Sequence, residues 1–131
     1  MPTIVAFEIP ADDVERARKF YNEVFGWKIY KASDLFEYWI FDTSADNRNA
    51  NKPSTPSPSV VGGMVKRQHP EQKIINYIGV SSIEEYSNKI QNAGGKVVIQ
   101  KTTVPNHGYF AICLDTEDNS FAIWKSDPDS K

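Results

Sequence analysis

Few side chains in this sequence could do chemistry, and their surroundings limit what that chemistry is. Glu8 interrupts an apolar strand pattern, Ile4 to Ile9. Partial burial there would raise a carboxyl pKa and suit it to accept a proton or hold a cationic group. The alternative for Glu8 is a solvated carboxylate, or one paired with Lys or Arg. His69 and His107 are the two histidines. Each lies in a loop beside Pro, Gly or Asn, far from a second donor at metal-ligand spacing, which is the pattern of a solvated histidine. His107 is the better placed, because its loop, Pro105-Asn106-His107-Gly108, leads into a strand. Cys113 is the single cysteine, so an intrachain disulfide and a cysteine-rich metal site are excluded. Its apolar run, Tyr109 to Leu114, makes it a buried small hydrophobe rather than a reactive thiol. No nucleophile elbow or phosphate loop is present: Gly94-Gly95 reads as a helix stop, and Gly62-Gly63 lacks a following helix.

Composition narrows the partners. A chain of 131 residues fits one domain, residues 1–131, with a core of its own. The formal charge of −2 gives no footprint for nucleic acid or an anionic membrane. Neither a membrane-length apolar run nor a basic-then-apolar leader is found, so the expected setting is cytoplasmic. Three Trp, six Tyr and seven Phe exceed what helix packing alone needs, which points to a flat or apolar ligand or to a densely aromatic core.

The elements that must position these residues follow from periodicity. Ile4 to Ile9 alternates as a strand, with Val5, Phe7 and Ile9 on one face and Ile4, Ala6 and Glu8 on the other. Asp12 or Asp13 caps a helix, Asp12 with Glu15 having capping-box spacing. Val14, Ala17, Phe20, Tyr21, Val24 and Phe25 predict a buried helical stripe, stopped by Gly26. Strands follow over residues 27–30 and 35–41, separated by a Ser33-Asp34 turn. Residues 43–59, rich in Asn, Ser and Pro, form either a lid or a surface insertion. Gly62-Gly63 within the strand over 60–65 marks a bulge or a close backbone approach. A polar turn over 68–72 leads to a strand over 74–80, then a helix capped by Ser81 or Ser82 with Ile83, Tyr86, Ile90 and Ala93 inward. Strands over 96–99, 109–114 and 120–125 complete the chain.

The second half repeats the first. Val14 corresponds to Ile83, Glu15 to Glu84, Tyr21 to Ile90 and Gly26 to Gly95 without a gap. Each half is βαβββ, module one over about residues 1–67 and module two over about 73–126.

Phe7-Glu8-Ile9-Pro10-Ala11-Asp12-Asp13, Phe20-Tyr21-Asn22-Glu23-Val24-Phe25-Gly26-Trp27, Ala93-Gly94-Gly95-Lys96-Val97 and the stretch from Gly108 to Phe121 resemble the vicinal oxygen chelate superfamily. This group includes glyoxalase I, bleomycin-resistance proteins, fosfomycin-resistance enzymes and extradiol dioxygenases. The resemblance implies an α+β fold whose two βαβββ modules form a curled, cup-like mixed sheet with helices outside. It also implies pairing into a homodimer. In that family His, Gln and Glu from the first and last strands hold a divalent metal that acts as a Lewis acid. The matching positions here fall at Ala6, Ile75, Ala122 and around Gly62 to Met64, none of which ligates a metal ion.

The resemblance turns Glu8, Tyr77 and Trp124 toward the cup, with His107 near its mouth. Tyr38 and Trp39 alternate, so one of them faces it; Trp39 is taken as the candidate. The expected function is binding of a small apolar or aromatic molecule by Glu8, Trp39, Tyr77, His107 and Trp124, with no metal. The phenol and indole groups would supply hydrogen bonds. The alternatives are a metal-dependent lyase or dioxygenase-like enzyme using Glu8 and His107 unconventionally, and an interaction module whose cup is filled by side chains.

Overall fold

The computed structural model describes residues 2–33, 36–42 and 61–131. The expected lid or insertion over 43–59, the turn residue Asp34, and Leu35 and Val60 at strand starts lie outside the described residues. The chain forms two compact units. One spans Ala6–Ile74, and the other spans Ile75–Lys131 together with the opening of the first strand through Val5.

The first unit contains β1 (Thr3–Ala11) from Ala6 onward, α1 (Val14–Phe25), β2 (Lys28–Ser33), β3 (Phe36–Asp42) and β4 (Val61–Lys66). Its strands lie in the order β2-β3-β4-β1, with β1 parallel to β4 and the other neighbours antiparallel. The second contains β5 (Ile75–Gly79), α2 (Ile83–Asn92), β6 (Lys96–Val104), β7 (Gly108–Leu114) and β8 (Ser120–Ser126). Its order is β5-β8-β7-β6, again with one parallel pair, β5 with β8. The fold is therefore α+β with mixed pairing, and among the described residues both halves are βαβββ. No described helix is long and apolar enough to cross a membrane.

Helix ends follow local chemistry. Asp13, in extended backbone at φ −127°, accepts the Arg16 N–H at 3.0 Å and caps α1. Asp12 stands one residue too early for this, and its carboxylate instead pairs with Arg67 Nε at 2.9 Å. The Ser82 hydroxyl caps α2 by accepting the Glu85 N–H at 3.1 Å. Gly26 ends α1 in the left-handed region at φ 74°, its N–H donating to the Asn22 carbonyl at 2.9 Å. At the end of α2 the left-handed residue is Gly94, φ 99°, one position before the residue that matches Gly26 in the repeat. Gly95 is needed for a different reason. A β-carbon there would lie 2.7 Å from the Leu114 carbonyl and 2.8 Å from Ile90 Cγ2.

Each unit builds its core between helix and sheet. In the first, Ala11, Val14, Ile29, Phe41 and Met64 are buried, with Phe7, Ile9, Ala17, Tyr21, Trp27 and Trp39 packed around them. Tyr21 joins the aromatic cluster under α1. Its ring stacks on Trp27 at 5.4 Å and meets Phe41 edge-on at 5.6 Å. That packing corrects the expected stripe. Phe20 is 54% exposed on the helix flank, and Val24 and Phe25 in the last turn are 56% and 57% exposed. In the second unit Ile83, Ala111, Cys113 and Ile123 form the centre. Burial pushes the Cys113 thiol up to about 11, so it stays an inert thiol at neutral pH.

The strands fall within a few residues of the expected segments, except β6. The polar run Gln100-Lys101-Thr102-Thr103 hid its second half, which pairs with β7 after register shifts beyond Val97 and Ile99.

Met64 has no exposed surface and Phe20 is more than half exposed. Met64→Ala should therefore cost about 2–5 kcal/mol in urea unfolding, and Phe20→Ala well under about 1 kcal/mol. Equal losses would place Phe20 in the core after all.

Candidate functional site on the sheet faces away from the helices

Strand alternation gives each sheet a packed face and a face turned away from its own helix. On β1, Phe7, Ile9 and Ala11 join the core under α1. Ala6, Glu8 and Pro10 take the other parity. Register then sets their neighbours. Glu8 stands beside Gly63 of β4, which stands beside Ile40 of β3; Tyr38 is opposite Val65.

Gly63 is what lets Tyr38 reach this row. A β-carbon on Gly63 would fall onto the Tyr38 ring, 2.9 Å from Cε2 and closer still to the phenol oxygen. Gly62 does the same on the packed face, where a β-carbon would lie 3.0 Å from Phe41 Cδ2 and against the Phe7 ring. Pairing runs through both glycines without a shift, so they mark a close approach rather than a bulge. Burial, and after it the negative charge of Glu8, pushes the Tyr38 phenol up to about 12. At physiological pH it is an O–H donor beside a carboxylate.

The second unit repeats this frame with different side chains. Tyr77 of β5 is beside Ala122 of β8, which is beside Ile112 of β7; Gly79, Trp124 and Phe110 form the next row. Tyr77, Phe110 and Trp124 thus share the face away from α2. The Trp124 indole N–H donates to Ser126 Oγ at 3.0 Å, and its ring edge lies over Gly108, where a β-carbon would stand 2.9 Å from Cζ2. With its N–H engaged in this way, Trp124 offers chiefly a flat ring.

The opposite face carries a charged cluster that sequence reading missed. Lys101 bonds Glu84 at 2.8 Å and sits 4.3 Å from the Tyr109 ring centroid, while the Tyr109 hydroxyl donates to Asp127 at 3.2 Å. The Lys101 hydrogen bond lowers the Glu84 pKa, and the same bond raises that of Lys101. This cluster fastens α2 to β6 and β7 at the surface.

The expected site residues are thus distributed over both units. Glu8 and Trp39 belong to the first, and Tyr77, His107 and Trp124 to the second. Trp39 packs with the core under α1, next to Met64 in register, so Tyr38 is the member of the pair that shares the face of Glu8. The sequence held half of the signal, a glycine at 63 that leaves room for a ring, but not the register that brings Tyr38, paired with Val65, to lean over it. His107 is exposed in the β6–β7 turn. Its N–H donates to the Val104 carbonyl at 3.0 Å and its carbonyl accepts the Asp127 N–H at 2.9 Å. His69 is likewise exposed, with its carbonyl taking the Gln72 N–H at 3.1 Å.

The metal centre implied by the resemblance does not fit these residues. Ala6 and Ile75 carry alkyl side chains, and the fully buried Ala122 offers only a methyl group. Among the described residues no group of three or more His, Cys, Asp or Glu side chains is placed to hold a metal ion.

Comparison with known proteins agrees with this frame. Residues 3–44 match the family described as bleomycin resistance protein-like N-terminal. A glyoxylase-like domain-containing protein from Didymella fabae is 31% identical over 121 residues, covering 92% of this chain and 91% of that protein. A methylmalonyl-CoA epimerase from Mycobacterium tuberculosis shares the fold with a TM-score of 0.64 at 9% identity, over 95% of this chain and 88% of that one. The 2,3-dioxygenase LapB from Pseudomonas sp. KL28 does so at 0.59 and 14%, over 98% of this chain and 43% of its own. The chain belongs to the vicinal oxygen chelate superfamily, among its glyoxalase- and bleomycin-resistance-like members.

The coupling of Glu8 to Tyr38 is directly measurable. In protein labelled at tyrosine Cζ, one resonance should titrate near pH 12, above the ordinary 10. Glu8→Gln should move that resonance to lower pH, because removing a negative neighbour makes the phenolate easier to form. An unmoved midpoint would separate the two groups.

Proposed function

We propose that this protein binds a small apolar or aromatic molecule on the sheet faces turned away from its helices, without the metal its superfamily commonly uses. The observation that carries this reading is the exchange of donor atoms for surface. The positions that would ligate hold Ala6, Ile75 and Ala122, while Glu8, Tyr77 and Trp124 stand two residues along the same strands and faces. A protein metal site needs about three oxygen, nitrogen or sulfur donors, and this row provides none. An aromatic ligand needs flat apolar walls with a few polar groups. Tyr77, Phe110 and Trp124 provide such a wall on the second unit. Curvature of each sheet into a cup wall is part of this proposal.

The proposal includes a cytoplasmic homodimer. An apolar dimer contact has a ready surface in Phe20, Val24 and Phe25, all exposed on α1. Sedimentation should give a dimer mass, and Phe20→Glu should shift it toward monomer; a monomer at high concentration would remove this part.

Binding is tested by tryptophan emission during titration with flat aromatic compounds. A saturable change is expected in the wild type and should vanish in Trp124→Phe, with Tyr77→Ala weakening affinity about tenfold, equivalent to about 1.4 kcal/mol. Chelators should leave binding unchanged. One equivalent of tightly held zinc, nickel or manganese, lost in Glu8→Ala, would overturn the metal-free reading.

A further inference from the structure

The outer edge of β2 is bridged by side chains of the helix that precedes it. Among the described strands β2 stands at the end of the order, with β3 as its neighbour. Such an edge turns unpaired backbone groups outward and invites another strand. In antiparallel pairing alternate residues bond the neighbour, and those between them face away. Trp27 and Ile29 share one parity, and α1 takes both of their carbonyls. Asn22 Nδ2 donates to that of Trp27 at 3.0 Å, and Arg18 Nε donates to that of Ile29 at 3.0 Å. The spacing is matched. Helix and strand run in opposite directions, so four helical residues, about 6 Å, span two strand residues, about 6.6 Å. Glu15 steadies the Arg18 guanidinium from its other side at 2.6 Å. Between helix and edge lies an open groove of about 470 Å³, so the edge is bridged at two points rather than covered.

We propose that Arg18 and Asn22 guard this edge, and that the partner they exclude is a second copy of this chain adding its own β2. Two identical edges related by a two-fold axis pair antiparallel, the orientation β2 already adopts with β3. Each copy then offers the other the same alternating amides and carbonyls. With both carbonyls held by α1, an incoming strand finds its acceptors engaged and two side chains in its path. Lys31 is next in the outward parity, and a register shift follows between Lys31 and Ser33. A lysine and irregular pairing are edge defences of their own, so the helix guards the part of the edge that they leave open. Removing the two donors leaves two carbonyls to find other N–H groups, because a backbone bond left unmade is costly. A role limited to fastening α1 would change stability and leave association untouched. The edge is separate from the flank of Phe20 and Val24 proposed for the dimer contact.

The test compares the sedimentation mass of the wild type with that of Arg18→Met combined with Asn22→Ala. It is run in about 1 M salt, where repulsion between the lysines of β2 is screened beyond about 3 Å. The double variant should reach roughly twice the wild-type mass or more, with amide exchange at Ile29 and Lys31 slowed about tenfold as those outward groups pair. Adding Lys31→Pro should restore the wild-type mass, because proline removes an outward donor without costing a bond to β3. Met64→Ala, which loosens the core and keeps both guards, should stay at the wild-type mass. If the double variant does not fold, each single variant must show the same gain at higher concentration. Unchanged mass in folded variants, association that survives Lys31→Pro, or slowed exchange confined to other strands would overturn the inference. So would equal association of Met64→Ala, since lost stability alone would then explain it. None of these outcomes bears on ligand binding.

Discussion

Everything at the candidate site depends on one kind of contact, the parallel pairing of the first strand of each module with its last. A hairpin cannot make such a pair, since parallel neighbours require the chain to leave the sheet and return. Here the return is made by a helix and two further strands, so β1 meets β4 and β5 meets β8 only once the whole module has folded. The pairing also fixes which side chains are neighbours. A slip of one residue would turn Glu8 into the core and Phe7 out of it.

The register sets a large residue on the first strand against a small one on the last: Glu8 against Gly63, Tyr77 against Ala122. A bulky side chain at either small position would fill the row and close the surface beside it. From that shared frame the halves diverge. Tyr38 opposite Val65 in the first corresponds to Phe110 opposite Trp124 in the second. The carboxylate of Glu8 belongs to these rows of the first half alone, while each half carries one phenol in them, Tyr38 in the first and Tyr77 in the second. The duplication kept the geometry and let the chemistry of the faces separate.

What could be read from the sequence was what depends on neighbours along the chain. The strand and helix order, the stop at Gly26, a serine cap at residue 81 or 82 and the buried state of Cys113 all follow from local pattern, and the structure has them, with Ser82 as the cap. What could not be read depends on contacts made across the fold. The choice between Asp12 and Asp13 turned on which carboxylate reached the Arg16 amide, with the other free to meet Arg67, distant in sequence. The exposure of Phe20 followed from Tyr21, Trp27 and Phe41 filling the space below α1, which helical periodicity alone does not reveal. The polar tail shows the same limit. Ser130 is buried because its hydroxyl donates to the Val104 carbonyl at 2.7 Å and its own carbonyl takes the Asn106 amide at 3.0 Å.

The parity of Tyr38 and Trp39 is the instance that matters for function. Alternation requires that they face opposite ways, and either assignment satisfies it. Glycine decides. Gly62 has aromatic rings close on the packed face and Gly63 has one close on the other, so the paired glycines admit rings on both sides of a single strand. With Phe7 and Phe41 occupying the packed side, the ring over Gly63 has to come from the residue whose parity matches it, and that is Tyr38. A side chain held by a sheet in this way needs no metal to orient it, because the strands themselves fix its direction. Under the proposed reading, the first unit positions polar groups by backbone register, where the superfamily commonly does so by coordination. Affinity must then come from buried apolar area and a few hydrogen bonds rather than from a fixed double charge, which is why a largely apolar ligand suits these faces.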